Sequence, residues 1–287
     1  MEESDEGKLV LEKPIAKTIY SIEITNGYIF RQIFELYDRL IIHGIPVYFK
    51  ETDVTIRTGT SGSRKNRKLI SDIEIFTEDI IEYYLNKDLA AIPRNEEEET
   101  SACHIEQFSI ETIRTIFKSI GKTSSVRIFK TTASDDVMIE IKGDTTEHSR
   151  LTSGRYQVVE YDISSFENST SNPNIKIELG QFCTSMKGMT RGDTDYTSFK
   201  VYPSGLVVEG LSSNGTTMKS GRWGNIEETE TFYETKVNSS VIKALLKISG
   251  MTGNSIIKVY SDRDGYLKLT HKIGDFGEHN IFLIDNS

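Results

Sequence analysis

Hydrophobic and polar positions along the 287-residue chain follow two periods. Segments rich in β-branched residues that alternate apolar with polar positions, such as 18–25 and 175–179, predict β-strands. Other segments repeat apolar residues every three or four positions, which predicts four amphipathic helices. These helices begin near Gly27, Ser109, Gly180 and Ser239. The pattern therefore predicts an α+β protein.

The order of these elements occurs twice. Residues 18–162 predict a strand, a helix, a hairpin, further strands, a second helix and closing strands, and a similar order restarts at Ile175. Residues 163–174 are rich in Ser, Thr and Asn, a composition typical of a linker. We therefore predict an N-terminal extension at 1–17, a first domain at 18–162, a connector at 163–174 and a second domain at 175–287. The chain length suits two domains.

The polar faces of the predicted helices carry cations, although the whole chain has a net charge of −9. Like charges four residues apart destabilise a helix by about 0.3 kcal/mol per pair, so their recurrence suggests a polyanionic partner. The alternative is that these side chains only solvate the helices, which for any single pair is the commoner explanation. The residues concerned are Arg31, Arg39, Arg114, Lys118, Lys187, Arg191, Lys243 and Lys247.

A basic loop at 61–68 offers further candidates for the same partner. It contains Arg64, Lys65, Arg67 and Lys68. Cations that contact phosphates need no side chains that read bases, so the binding would be salt-sensitive and independent of nucleic-acid sequence. This composition predicts contact with DNA or with a partner protein at the loop.

Motifs that would indicate catalysis are absent from the sequence. It has no phosphate-binding Gly-Lys-Ser/Thr loop, dinucleotide fingerprint, nucleophile elbow or His-Glu-x-x-His pair. His271, Asp275 and His279 have a loosely metal-like spacing but lack a fourth partner. We therefore expect a binding protein with no metal, no cofactor and no enzymatic activity. An α+β enzyme with an unrecognised site stays open as an alternative.

The N-terminal residues, the length of the apolar stretches and the cysteines indicate in which cellular compartment the protein works. The chain starts with acidic residues instead of a basic and then apolar segment, and no apolar stretch is long enough to span a bilayer. Cys103 and Cys183 lie far apart in apolar-periodic segments, which favours buried free thiols. We expect an intracellular protein without a membrane partner.

The C-terminal run at 266–284 resembles a known family. There a Lys-Ile-Gly-Asp-Phe-Gly stretch at 272–277 precedes a last strand with aromatic residues, as in the closing hairpin of the PCNA-type DNA sliding clamps. The duplicated order of elements over 18–284 is similar to the topology of the clamps, and residues 26–40 are similar to them in amino-acid sequence. The low identity suggests a clamp of a large DNA virus, and residues 11–14 (Leu-Glu-Lys-Pro) resemble an asfarvirus clamp-like protein.

The resemblance implies a duplicated DNA-clamp fold, with antiparallel sheets outside and helices lining a ring. It implies a homotrimer that encircles double-stranded DNA and tethers DNA polymerase and other replication and repair factors, in the nucleus or at a cytoplasmic viral replication site. The helix cations would then line the hole, and edge strands near Tyr156–Tyr161 and Thr216–Gly221 would join the subunits. A monomeric or heterotrimeric clamp-fold processivity or checkpoint subunit is the alternative.

The resemblance also implies a pocket for short peptides of partner proteins. The matching positions are Phe166, Tyr266, Phe282 and Ile284. For Phe282 and Ile284, a place in the hydrophobic core is an equal alternative. The loop that forms the floor of this pocket in the family is replaced here by the basic stretch at 64–68, which weakens the match.

Overall fold

The computed structural model describes residues 16–40, 44–59, 69–80, 82–89, 103–152, 172–226, 231, 233–250, 255–261 and 266–284. In the N-terminal half the elements are β1 (Thr18–Ile24), α1 (Gly27–Leu40), β2 (Gly44–Lys50), β3 (Asp53–Gly59), β4 (Leu69–Phe76), β5 (Glu82–Leu85), β6 (Cys103–Ser109), α2 (Ile110–Phe117), β7 (Ser125–Thr131), β8 (Asp136–Lys142) and β9 (Thr146–Thr152). A 3-10 turn at Thr77–Asp79 precedes β5.

The C-terminal half repeats this order with one strand fewer between its two helices. Its elements are β10 (Ile175–Glu178), α3 (Leu179–Met189), β11 (Tyr196–Tyr202), β12 (Gly205–Leu211), β13 (Thr217–Gly224), β14 (Tyr233–Asn238), α4 (Ser239–Leu245), a 3-10 turn (Leu246–Gly250), β15 (Ile256–Ser261), β16 (Tyr266–Ile273) and β17 (Gly277–Ile284). All four predicted helices are present. The strands β6 and β9 were not predicted.

The strands form three antiparallel sheets. Their orders are β5-β1-β7-β8-β9, β10-β15-β16-β17-β4-β3-β2-β6 and β13-β12-β11-β14. The eight-stranded sheet takes strands from both halves, which join where β17 pairs with β4, from Gly277 opposite Ile75 to Leu283 opposite Leu69. Backbone hydrogen bonds therefore hold the halves together, and their buried apolar side chains form one contiguous cluster.

Helix α1 buries its predicted apolar stripe and one further side chain. Ile33 and Phe34 on the stripe are buried, as expected for a side that packs on other elements. Leu36 is also fully buried, although it lies off the predicted stripe, which consists of Ile29, Phe30, Ile33, Phe34, Tyr37 and Leu40. The reason is tertiary, because α1 contacts α2, α4 and the turn Leu246–Gly250 besides its own sheet. Full burial of one such side chain stabilises the fold by about 2 kcal/mol.

The unpredicted strands lack a simple alternation. In β6, Glu106, Gln107 and Phe108 are consecutive and all buried, so no apolar–polar period is visible. Strand β9 is mostly polar, because it lies at the edge of its sheet, where one side has no neighbour among the described strands. The strand predicted near 156–162 lies outside the described residues.

The two cysteines are free. Cys183 is buried and Cys103 is half-buried, so the prediction of buried thiols is confirmed for Cys183 and only in part for Cys103. Burial raises the pKa of Cys183 to about 11 and also raises the pKa of Cys103. Both thiols are therefore protonated at neutral pH, which makes them poor nucleophiles.

A buried hydrogen-bond chain crosses the junction between the halves. His271 Nδ1 lies 2.9 Å from the carbonyl oxygen of Lys272, so that nitrogen carries the proton and donates it. In the neutral ring, His271 Nε2 then accepts from His279 Nδ1 at 2.9 Å. His279 Nε2 in turn accepts from the hydroxyl of Ser71 on β4 at 2.7 Å. The two histidines whose spacing resembles that of metal ligands thus form hydrogen bonds to each other and to the other half of the chain.

The two buried histidines of this hydrogen-bond chain predict that the free energy of unfolding decreases in acid. Burial lowers the pKa of His271 from its ordinary value of 6.5 to about 4, and burial followed by the neighbouring His271 lowers the pKa of His279. Between pH 6.5 and 4 the unfolded chain binds more protons than the folded chain, so stability falls as the pH falls through this window. His271 alone contributes at most about 3 kcal/mol. Urea unfolding measured between pH 7 and pH 4 checks this expectation.

Two variants separate the pair from the other titrating groups. His271→Gln cannot be protonated and should flatten the profile between pH 6.5 and 4. His148→Gln removes a histidine whose side chain is 61% exposed and lies 3.6 Å from Glu140, and it should change the profile less than His271→Gln does. Equal slopes for His271→Gln and the wild type would contradict the assignment.

Candidate nucleic-acid interface

The helices of both halves form one layer. Helix α1 contacts α2, α4 and the turn Leu246–Gly250, and α3 contacts the same turn. We call these four helices and this turn the helix layer. Each α-helix buries apolar side chains, so its remaining positions carry the polar residues. The predicted cations of the two halves therefore belong to one continuous part of the molecule. The prediction that Lys118 and Arg191 lie on helices is wrong, because α2 ends at Phe117 and α3 at Met189.

Most of these cations are exposed. Arg114, Lys118, Lys187, Arg191 and Lys243 all have exposed side chains. Helices α3 and α4 and the turn after α4 contain three lysines and no acidic residue. In a chain with a net charge of −9, this distribution concentrates positive charge on α3, α4 and the turn after α4, whereas α1 and α2 each contain as many acidic as basic residues.

Arg31 is held differently from the exposed cations. Its Nε lies 2.7 Å from the carboxylate of Glu35, and its Nη1 donates to the carbonyl oxygens of Lys118 and Ile120 at 3.1 Å each. The last carbonyls of a helix lack partners within the helix, and a cation there also complements the helix dipole. Arg31 therefore caps the C-terminal end of α2 and joins it to α1.

Glu35 connects the two halves of the helix layer. One of its carboxylate oxygens binds Arg31, and the other lies 3.7 Å from Lys247 Nζ in the turn after α4. The pair with Lys247 is partly exposed, so by itself it contributes little stability. Sequence reasoning missed Glu35, because residues 35 and 247 meet only through the packing of α1 on the turn.

Several predicted site residues lie outside the described part of the chain. They are Arg64, Lys65, Arg67 and Lys68 of the basic loop and Phe166 of the connector. For Arg39 and Ile284 only the backbone is described, at the end of α1 and of β17. Their predicted roles stay predictions.

The two described residues of the predicted peptide pocket are buried. Tyr266 is 3% exposed and Phe282 is 1% exposed, on neighbouring strands of the eight-stranded sheet. The ammonium of Lys268 lies 5.5 Å from the ring centroid of Phe282 and 5.9 Å from that of Tyr260. Phe282 is buried but does not belong to the contiguous apolar cluster that contains its chain neighbours Ile281 and Leu283. Both the core position and the pocket therefore stay predictions for Phe282.

Each of the three sheets ends in two strands whose outer edges no described strand covers, and β13 and β9 are two of these six strands. Strand β13 pairs only with β12, and β9 pairs only with β8. The first four residues of β13 are exposed, including Met218 at 52%. The predicted edge at Thr216–Gly221 coincides with β13, whereas the one at Tyr156–Tyr161 lies outside the described residues.

A buried ionic cluster in the N-terminal half was also missed by sequence reasoning. Glu106 is 2% exposed, and its carboxylate lies 2.5 Å from Lys130 Nζ and 2.7 Å from His104 Nε2. A buried carboxylate needs such partners, so this arrangement is the one expected of a structural ion pair. Among the described residues, no three His, Cys, Asp or Glu side chains group as a metal site requires. No helix in those same ranges is long and apolar enough to cross a membrane.

The structure of the chain is similar to solved structures of known proteins. No protein-family model and no curated protein matches the chain. A solved structure of a PCNA2–PCNA3 complex from Sulfolobus tokodaii matches with a TM-score of 0.69 at 14% identity, covering 92% of this chain and 98% of that one. Proliferating cellular nuclear antigen from Entamoeba histolytica matches with a TM-score of 0.71 at 10% identity, covering 93% and 99%.

These likenesses establish the class. The chain has the duplicated clamp fold of the PCNA sliding clamps, with mostly antiparallel sheets and few helices, and the fold-class prediction is confirmed. At 10% and 14% identity the likeness concerns the fold alone. The suggestion of a large DNA virus as the source stays a prediction, as do the domain boundaries.

Proposed function

We propose that this protein is a subunit of a DNA sliding clamp. It would form a ring around duplex DNA and tether DNA polymerase and other replication and repair factors, without chemistry of its own. The observation that carries this proposal is the helix layer, where α3, α4 and the turn after α4 contain lysines and no acidic residue on a chain of net charge −9. The clamp fold over nine-tenths of the chain supports it.

Sequence-independent binding follows from the kind of residue involved. Exposed lysines and arginines such as Lys187, Arg191 and Lys243 suit phosphate oxygens, which are the same at every base pair. The bound complex would be salt-sensitive, because each phosphate contact releases a counterion. A clamp needs sequence-independent binding, since it has to slide along the DNA.

Assembly into a ring would use the open edges of β9 and β13. A head-to-tail contact closes a ring when the rotation between subunits divides a full turn, and three identical subunits are the count we propose. An exposed edge strand is a ready template for such pairing. The alternative is a heteromeric ring or a monomeric clamp-fold subunit. It is favoured by the matched Sulfolobus tokodaii structure, which contains two different PCNA chains.

The partners would be proteins as well as DNA. Partner peptides are proposed to dock near the connector at 163–174, with Phe166 and Ile284 as contact residues beside the buried Tyr266 and Phe282. We place the protein inside the cell, in the nucleus or at a cytoplasmic viral replication site, because duplex DNA under replication lies there. An α+β enzyme is the remaining alternative, and a cofactor or metal that copurifies with the protein would favour it.

A topological test addresses the ring itself. The protein is diluted until its subunits separate and is then concentrated with nicked circular DNA, so that a ring can close around the circle. We expect it to stay on the circle in high salt, where phosphate contacts are weak, and to leave after one restriction cut. Gel filtration of protein with DNA measures both. Equal retention on circular and linear DNA, or none on either, would contradict encirclement.

A further inference from the structure

The helix layer contains a cavity of about 230 Å³ at the junction of the two halves. Its walls come from α1, α2, β2 and the turn after α4. The apolar part of its lining, which we call the floor, is formed by side chains that are at most 5% exposed: Phe34, Ile45, Ile110, Ile113 and Phe117. Small-molecule sites commonly combine such an apolar lining with a few polar groups at fixed positions.

The polar groups around this cavity are almost all of one sign. Its lining includes the cations Arg31, Arg114, Lys118 and Lys247 and a single carboxylate, that of Glu35. That carboxylate already contacts both Arg31 and Lys247. A ligand in the cavity would therefore meet an excess of positive charge above an apolar floor.

We propose that this cavity is a binding site for a small organic anion, one acidic group on a compact aromatic or aliphatic body. The body would lie on Phe34 and Phe117, and the acidic group would face Lys118 and Lys247. Because Lys247 comes from the C-terminal half and the rest of the lining from the N-terminal half, the ligand would bridge both. This site does not depend on ring formation, but a ligand there would compete with DNA phosphate for Lys118 and Lys247.

Three naphthalene ligands that differ only in their head group test the charge requirement. They are naphthalene-1-sulfonate, naphthalene-1-methanol and naphthalene-1-methylammonium, titrated into protein with labelled isoleucine methyl groups and followed by NMR. The shifts of Ile110 and Ile113 report on the floor. We expect the sulfonate to bind with a dissociation constant on the order of 0.1–1 mM, as for a ligand of this size. The methylammonium should bind at least about fivefold more weakly.

Matched variants test the residues. Lys118→Gln with Lys247→Gln should weaken sulfonate binding at least about fivefold. Lys122→Gln with Lys272→Gln removes two exposed lysines that do not line the cavity and should leave it unchanged. Ile113→Phe, which fills the floor, should reduce the affinity for all three ligands. The proposal is overturned if the ammonium binds as tightly as the sulfonate, if both double variants bind alike, or if no methyl shifts.

Discussion

Lys187→Glu combined with Lys243→Glu is expected to weaken binding to duplex DNA at least about tenfold near 50 mM salt. Both side chains are exposed on helices that contain no acidic residue, so the change replaces attraction to phosphate by repulsion. The slope of log affinity against log salt should become shallower by about 2 per chain, one for each lost phosphate contact. Fluorescence anisotropy of labelled duplexes over a salt series measures both quantities.

A matched control keeps the net charge the same. Lys176→Glu with Lys272→Glu reverses two exposed lysines on β10 and β16, which belong to a sheet and not to the helix layer. If long-range charge alone governed DNA binding, the two double variants would behave alike. That result would refute the helix layer as the DNA surface. Two duplexes of unrelated sequence should give the same affinities, since phosphate contacts carry no base information.

Met218→Asp is expected to abolish self-assembly and leave the fold intact. Met218 is 52% exposed on β13, whose outer edge meets no described strand. In a ring closed through this edge, the side chain would enter an interface between subunits, where an unpaired carboxylate costs several kcal/mol. Light scattering at micromolar concentration should show a trimer for the wild type and a monomer for the variant, with unchanged circular dichroism.

Ile256→Asp provides the control for this experiment. Ile256 is also 52% exposed, but it lies on β15, within the eight-stranded sheet. It should leave the trimer intact, so the comparison separates the position from the chemical change. A wild type that is monomeric without other subunits would refute the homotrimer and favour a heteromeric ring. Dissociation by both variants would argue against β13 as the joining edge.

Local sequence patterns predicted much of the fold. The stripe of α1 and the alternation in β8 involve residues that are near neighbours along the chain, so periodicity finds them. The strands β6 and β9 were missed for opposite reasons. In β6 three consecutive residues are buried around Glu106, and in β9 an open edge allows a polar sequence. Burial of Glu106 depends on Lys130 from a strand that is distant in sequence.

For the candidate site, too, the sequence predicts some features and only the structure shows the others. Which side chains are cations on helices follows from the sequence, and the structure shows Lys187, Arg191 and Lys243 exposed, as a DNA surface requires. The role of Arg31 does not follow, because its carbonyl partners at the end of α2 are far along the chain. A sequence pattern records only that an arginine is present, whereas its hydrogen bonds decide how much of its charge is available.

The sequence by itself determined the duplicated order of elements and the presence of arginines and lysines on the polar faces of the predicted helices of an acidic chain. Both are properties of neighbouring residues, which a periodic pattern records directly. Only the tertiary structure decided that β17 pairs with β4, that Glu35 lies between Arg31 and Lys247, and that these cations line one cavity together with buried apolar side chains. Such contacts join residues that are distant along the chain, so they exist only once both halves have packed.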